Sequence, residues 1–145
     1  MTTIDFYFNA ADRLAVACRL AGKALRQGKR MLIHAPQAEV AQAIDRLLWT
    51  WPAISFVPHC YAGDALAAET PVLIAMDGEP GMPAPREVLL NLGAECPPGF
   101  ERHERVLEIV SREAAERSAG RSRYAFYRDR GYEIRNHDLA GEAQP

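Results

Sequence analysis

IDFYFNAADRLAVACRLAGKALRQGKRMLIHA, Ile4 to Ala35, changes its hydrophobic period twice, and that change decides the fold. Ile4–Phe8 mixes branched and aromatic residues as a strand does. Leu14, Ala17, Cys18, Ala21 and Leu25 then recur at i, i+3, i+4, i+7 and i+11, one face of a helix that Asn9 or Asp12 is placed to cap. Gly28 suits the helix end, and Met31–Ala35 is a second strand of the buried type. Strand, helix and strand in this order suggest a βαβ unit and a largely parallel sheet with helices on both sides. Cys18 falls on the buried stripe and reads as a core residue rather than a nucleophile. The pairs Gly22-Lys23 and Gly28-Lys29 lack the upstream glycine and the following Ser or Thr of a phosphate loop. The second pair also runs from helix into strand, the wrong order for a helix N-terminus to face a phosphate. Nucleotide hydrolysis at this place is rejected.

Downstream, residues 37–51 form a second amphipathic helix with Val40, Ile44, Leu47, Leu48 and Trp51 on one face. At ~100° per residue Trp49 lies roughly opposite that stripe. It is expected to be exposed, either as an interface anchor or beneath a folded-over loop. Ile54–Val57 reads as a third strand that brings Phe56 near Trp49 if the connection is tight, and Pro58–Thr70 as a loop or short helical turn. Val72–Met76 and Glu87–Leu92 are the fourth and fifth strands, separated by Asp77–Arg86, a loop by its prolines and glycines. Phe100–Arg105 suits a single helical turn, Val106–Val110 a sixth strand, Ser111–Gly131 a long helix, and Tyr132–Asp138 an extended return. The later strands lack intervening helices, which predicts a mixed sheet. Residues 1–140 make one α/β domain, and 141–145 a disordered tail.

The 145 residues suffice for one core, and the net charge of -2 argues against a general nucleic-acid coat. No apolar run approaches membrane-spanning length, and MTTIDFYF has no signal-peptide pattern. Three cysteines without CxxC spacing fit reduced thiols in the cytoplasm. His59 and Cys60 are adjacent, and Cys96 and His103 complete no familiar ligand spacing, so no metal or catalytic Cys-His pair is indicated.

Within SREAAERSAGRSRYAFYRDRG, 111–131, the residues Arg117, Arg121, Tyr124 and Arg128 fall at i, i+4, i+7 and i+11. One helix face therefore carries three guanidiniums around a phenol. Guanidinium forks match carboxylates and phosphates, and the ring offers a surface to an apolar group. The same spacing fits a solvated face with i,i+4 pairs, of which Glu113 with Arg117 is one. It also fits direct single-stranded nucleic-acid binding, with Tyr124 or Trp49 stacking on bases.

LLWTWPAISFVPH (47–59), VLLNLG (88–93), ERVLEIV (104–110) and RYAFYRDRGYEI (123–134) resemble the chi subunit family of the bacterial DNA polymerase III holoenzyme, in order over nearly the whole chain. That resemblance implies a three-layer Rossmann-like fold without a phosphate-binding loop, and an accessory subunit of the clamp-loader assembly with no activity or cofactor of its own. It implies binding of the acidic, Phe-terminated tail of single-stranded-DNA-binding protein through Val110, Arg117, Arg121 and Tyr124. Arg117 stands where the family often has lysine. Arg121 is expected to take the terminal carboxylate, Val110 and Tyr124 the ring, and Arg117 with Arg128 the acidic residues. Trp49 and Phe56 map onto the surface for the psi subunit, or for a helicase-like repair protein that pairs alternatively. Little direct nucleic-acid binding and no membrane association are expected.

Overall fold

The computed structural model describes residues 2–50, 57–76 and 86–140. In chain order these form β1 (Thr3–Ala10), α1 (Arg13–Arg26), β2 (Met31–His34), α2 (Ala38–Thr50), β3 (His59–Tyr61), β4 (Val72–Ala75), β5 (Val88–Asn91), β6 (Arg105–Ser111), α3 (Ala114–Asp129) and β7 (Glu133–Asp138). Single 3-10 turns lie at Ala67–Glu69 and Phe100–Arg102.

Local chemistry sets the helix ends. Asp12 caps α1 by accepting from the N–H groups of Leu14 and Ala15. At the other end Gly28 turns left-handed at φ 69, so that Lys29 N–H reaches Ala24 O and Gly28 N–H reaches Leu25 O. That is the paired closure of a Schellman motif, and Gly131 at φ 80 closes α3 in the same way.

The seven strands form one sheet in the order β3-β4-β2-β5-β6-β1-β7. Every described pairing is parallel, where a partly mixed sheet was expected. The reason lies in the crossovers. A parallel connection needs about a dozen residues but no helix, and between β5 and β6 the chain supplies them as the turn around buried Phe100. Side chains alternate as a sheet covered on both faces requires. Met31 and Ile33 join the core beneath α1 and α2, while Leu32 between them joins the core beneath α3. Cys18 is fully buried in the first of these cores, and burial pushes its thiol up to about 12.

Two expectations move. His59–Tyr61, read as loop, is the short edge strand β3, paired from His59↔Val72 to Tyr61↔Ile74. Pairing with β4 overrides a weak local propensity there. The strand expected at 54–57 falls on residues outside those described, apart from buried Val57. So do nearly all of the Asp77–Arg86 loop and the tail at 141–145.

Candidate functional site

β1 and β6 are neighbours, yet α1 leaves β1 onto one face of the sheet and α3 leaves β6 onto the other. Such a reversal opens a crevice at the carboxyl ends of the strands, where open α/β sheets bind ligands. Here the crevice is plugged by the chain itself. Arg13, at the start of α1, donates from Nε to Ile109 O at 3.0 Å and from its terminal nitrogens to the carbonyls of Leu92 and Gly93, each at 3.2 Å. Burial holds its pKa below the usual guanidinium value, with repulsion from Arg123 adding to the effect. A cation bound to strand carbonyls stands where other folds of this shape place a phosphate on a helix N-terminus.

The open space lies beside that plug, under α3. The helix is fastened by a buried ion pair. Glu108, fully buried on β6, accepts from Arg123 Nε at 2.8 Å, from Tyr127 Oη at 2.7 Å and from Asn91 Nδ2 at 3.0 Å. Arg123 also donates to Ala94 O at 2.9 Å, so the buried charges are hydrogen-bonded on several sides. Burial and the adjacent carboxylate both hold the Tyr127 phenol protonated. One turn earlier, Gly120 lets the helix backbone approach β6 so closely that a Cβ would lie 2.7 Å from Val110 Cγ2.

These contacts leave a hollow of about 470 Å³ between the N-terminal half of α3 and the ends of β6, β1 and β7. Arg117, Arg121 and Tyr124 line its helix side, and Val110, Phe6, Phe8, Asn9 and Asn136 its sheet side. The Tyr124 and Phe6 rings stand 5.0 Å apart. Neither Arg117 nor Arg121 makes an ion pair or side-chain hydrogen bond among the described residues, and the expected Glu113–Arg117 pair does not form. The arrangement offers two exposed guanidiniums above an apolar, aromatic floor.

Val110, Arg117, Arg121 and Tyr124 are thus brought together. Arg128 is not. At 1.5 Å per residue it sits ~16 Å along the helix axis from Arg117, beyond the hollow, and pairs with Asp129 at 3.2 Å in solvent. Trp49 stands on the other face of the sheet, 54% exposed as its helical position required, with its ring 4.8 Å from that of His59. His59 is buried and bonded to Asp45 Oδ1 at 3.0 Å. Trp49 shares a shallow apolar surface with Ala43, Arg46, Leu47 and Thr50. Phe56 lies outside the described residues.

Helical spacing passed over Arg123, Tyr127, Asn9 and Asn136. A glutamate in the middle of VLEIV was the signal for the first two, because an acid on the core side of a strand needs a buried donor. Nothing in the periodicity marked the asparagines as site residues, and Asn9, a candidate cap of α1, leaves that role to Asp12. Among the described residues no three His, Cys, Asp or Glu side chains converge on a metal position, and no helix is long and apolar enough to cross a membrane.

The fold resembles the C-terminal domain of the DEAD-box protein Dbp5, with a TM-score of 0.64 at 12% identity over 95% of this chain and 91% of that one. Against a Saccharomyces cerevisiae Dbp5 chain bound to Nup159, Gle1, IP6 and ADP the TM-score is 0.63, and this chain spans 42% of its length. Likeness at that identity speaks for the fold alone. Sequence relatives are nearer. DNA polymerase III subunit chi of Pseudomonas aeruginosa is 39% identical over 143 residues, 96% of this chain and 98% of that protein. The Escherichia coli subunit chi is 32% identical over 133 residues, 92% of this chain and 88% of that protein. The family model "DNA polymerase III chi subunit, HolC" matches residues 1–135. With relatives aligned over almost its full length, the chain belongs to the DNA polymerase III chi subunit family.

Proposed function

We propose that this chi-family chain works as a non-catalytic accessory subunit of the clamp-loader assembly in the cytoplasm, capturing the acidic, Phe-ended tail of single-stranded-DNA-binding protein in the hollow under α3. The observation that carries the reading is the pair of guanidiniums, Arg117 and Arg121, unengaged by any described carboxylate and set over a floor of Phe6, Phe8, Val110 and Tyr124. A peptide terminus of this kind brings a carboxylate for a guanidinium fork, a ring for the floor and further acids for the second cation. Arg121 takes the terminal carboxylate, Val110 and Tyr124 wall the ring, and Arg117 meets the upstream acids. Trp49 and, as the family resemblance implies, Phe56 serve the psi subunit or a helicase-like repair protein.

Exposed ion pairs contribute only ~0.2–1 kcal/mol each, so capture is weak to moderate and falls as salt rises. Calorimetry with a synthetic acidic peptide ending in phenylalanine tests the reading. The unaltered chain binds, and Arg121→Ala loses most of the affinity with an unchanged circular dichroism spectrum. Equal affinity in that variant refutes the assignment. Anisotropy with bare single-stranded DNA supplies the control, since appreciable binding there favours the stacking alternative over tail capture.

A further inference from the structure

The two sides of the hollow differ in chemistry. Its helix side carries the guanidiniums, whereas its sheet side carries a carboxamide, Asn136, that neither charge capture nor ring packing uses. Asn136 stands opposite Phe6 in the β1/β7 ladder and is exposed at the rim. Its Nδ2 donates to Tyr124 Oη at 3.4 Å, so it joins the edge strand to the ring on α3. β7 is held in this position by an unbroken ladder to β1, from Thr3↔Glu133 to Phe8↔Asp138, and a bulge in β1 adds a tie at its end. Asn9 is skipped between Phe8↔Val110 and Ala10↔Ser111 in the β1/β6 ladder and turns left-handed at φ 62. Its Nδ2 then donates to Asp138 Oδ1 at 2.8 Å, tying the end of β7 to β1. A carboxamide offers one acceptor oxygen and two donor hydrogens, the complement of a peptide main chain. An extended peptide whose last ring enters the floor carries uncharged amides past the rim, and leaving them unpaired on desolvation is costly.

Resting on the tail-capture reading, we propose that Asn136 binds the main chain of the captured peptide next to its terminus. The contact reads peptide backbone irrespective of side-chain charge.

The test uses anisotropy of the acidic, Phe-ended peptide and of three versions, each N-methylated at one of its last three amides. On the unaltered chain, methylation at one of these amides weakens binding about fivefold. Asn136→Ala and Asn136→Leu each weaken the unmodified peptide by a similar factor, and the same methylation then costs less than about twofold. Leucine keeps the bulk of the side chain and removes its hydrogen bonding, so rescue by leucine identifies a packing role and overturns the proposal. Unmodified affinity in both variants overturns it too, as does a methylation cost equal in variant and unaltered chain. Failure of the unaltered chain to bind the unmodified peptide is a different result, and removes the tail-capture reading itself.

Discussion

Gly120 has room for a hydrogen and nothing larger, because two methyl carbons of Val110 lie 2.7 and 3.0 Å from where a Cβ would stand. Val110 is β-branched, fixed in a strand and part of the hollow, so it has little freedom to yield. Gly120→Ala gains about 1 kcal/mol of helix propensity, but overpacking of this kind costs about 1–3 kcal/mol and shifts the helix. A net loss in urea unfolding is the expected result, together with weaker binding of the acidic peptide, since Val110 and α3 both wall the site. Tail affinity unchanged alongside a lower midpoint would separate the packing of Gly120 from the shape of the hollow.

At the scale of elements, α3 owes its placement to Glu108, Arg123 and Tyr127. Its exposed residues contribute little to holding it, because Arg117 and Arg121 make no ion pair or side-chain hydrogen bond among the described residues and Arg128–Asp129 is a solvent pair. Arg123→Met leaves a buried carboxylate without its cation and should lower stability by about 3–5 kcal/mol. Adding Glu108→Leu to that variant should restore part of the loss, because the uncompensated charge disappears, although Tyr127 and Asn91 then lack their acceptor. Urea unfolding of the two single variants and the double variant measures this cycle. A double variant no more stable than Arg123→Met alone would show that the carboxylate is not the source of the loss.

Over the whole molecule, the two candidate surfaces lie on opposite faces and toward opposite ends of the sheet, with α2 against β3 and β4 and α3 against β6 and β7. Separate sites with no shared contacts behave additively. Trp49→Ala should therefore leave affinity for the acidic peptide within about twofold of the unaltered chain, while Arg121→Ala leaves binding at the Trp49 surface intact. Anisotropy on each variant checks the pair. A loss of peptide affinity in Trp49→Ala comparable to that in Arg121→Ala would instead make the two surfaces one coupled system.

Element order was legible in the chain because periods of two and 3.6 residues are local properties, and Asp12, Gly28 and Gly131 punctuate them through their own backbone preferences. The same locality made Cys18 readable as core and Trp49 as exposed. Parallel pairing throughout the sheet and the strand at His59–Tyr61 were decided only in three dimensions. So were the Arg13 plug, the clasp of Glu108 on Arg123, and the meeting of Asn136 with Tyr124. Each of these joins residues far apart in the chain, and a linear pattern carries no record of which distant partner will satisfy a buried or half-buried polar group.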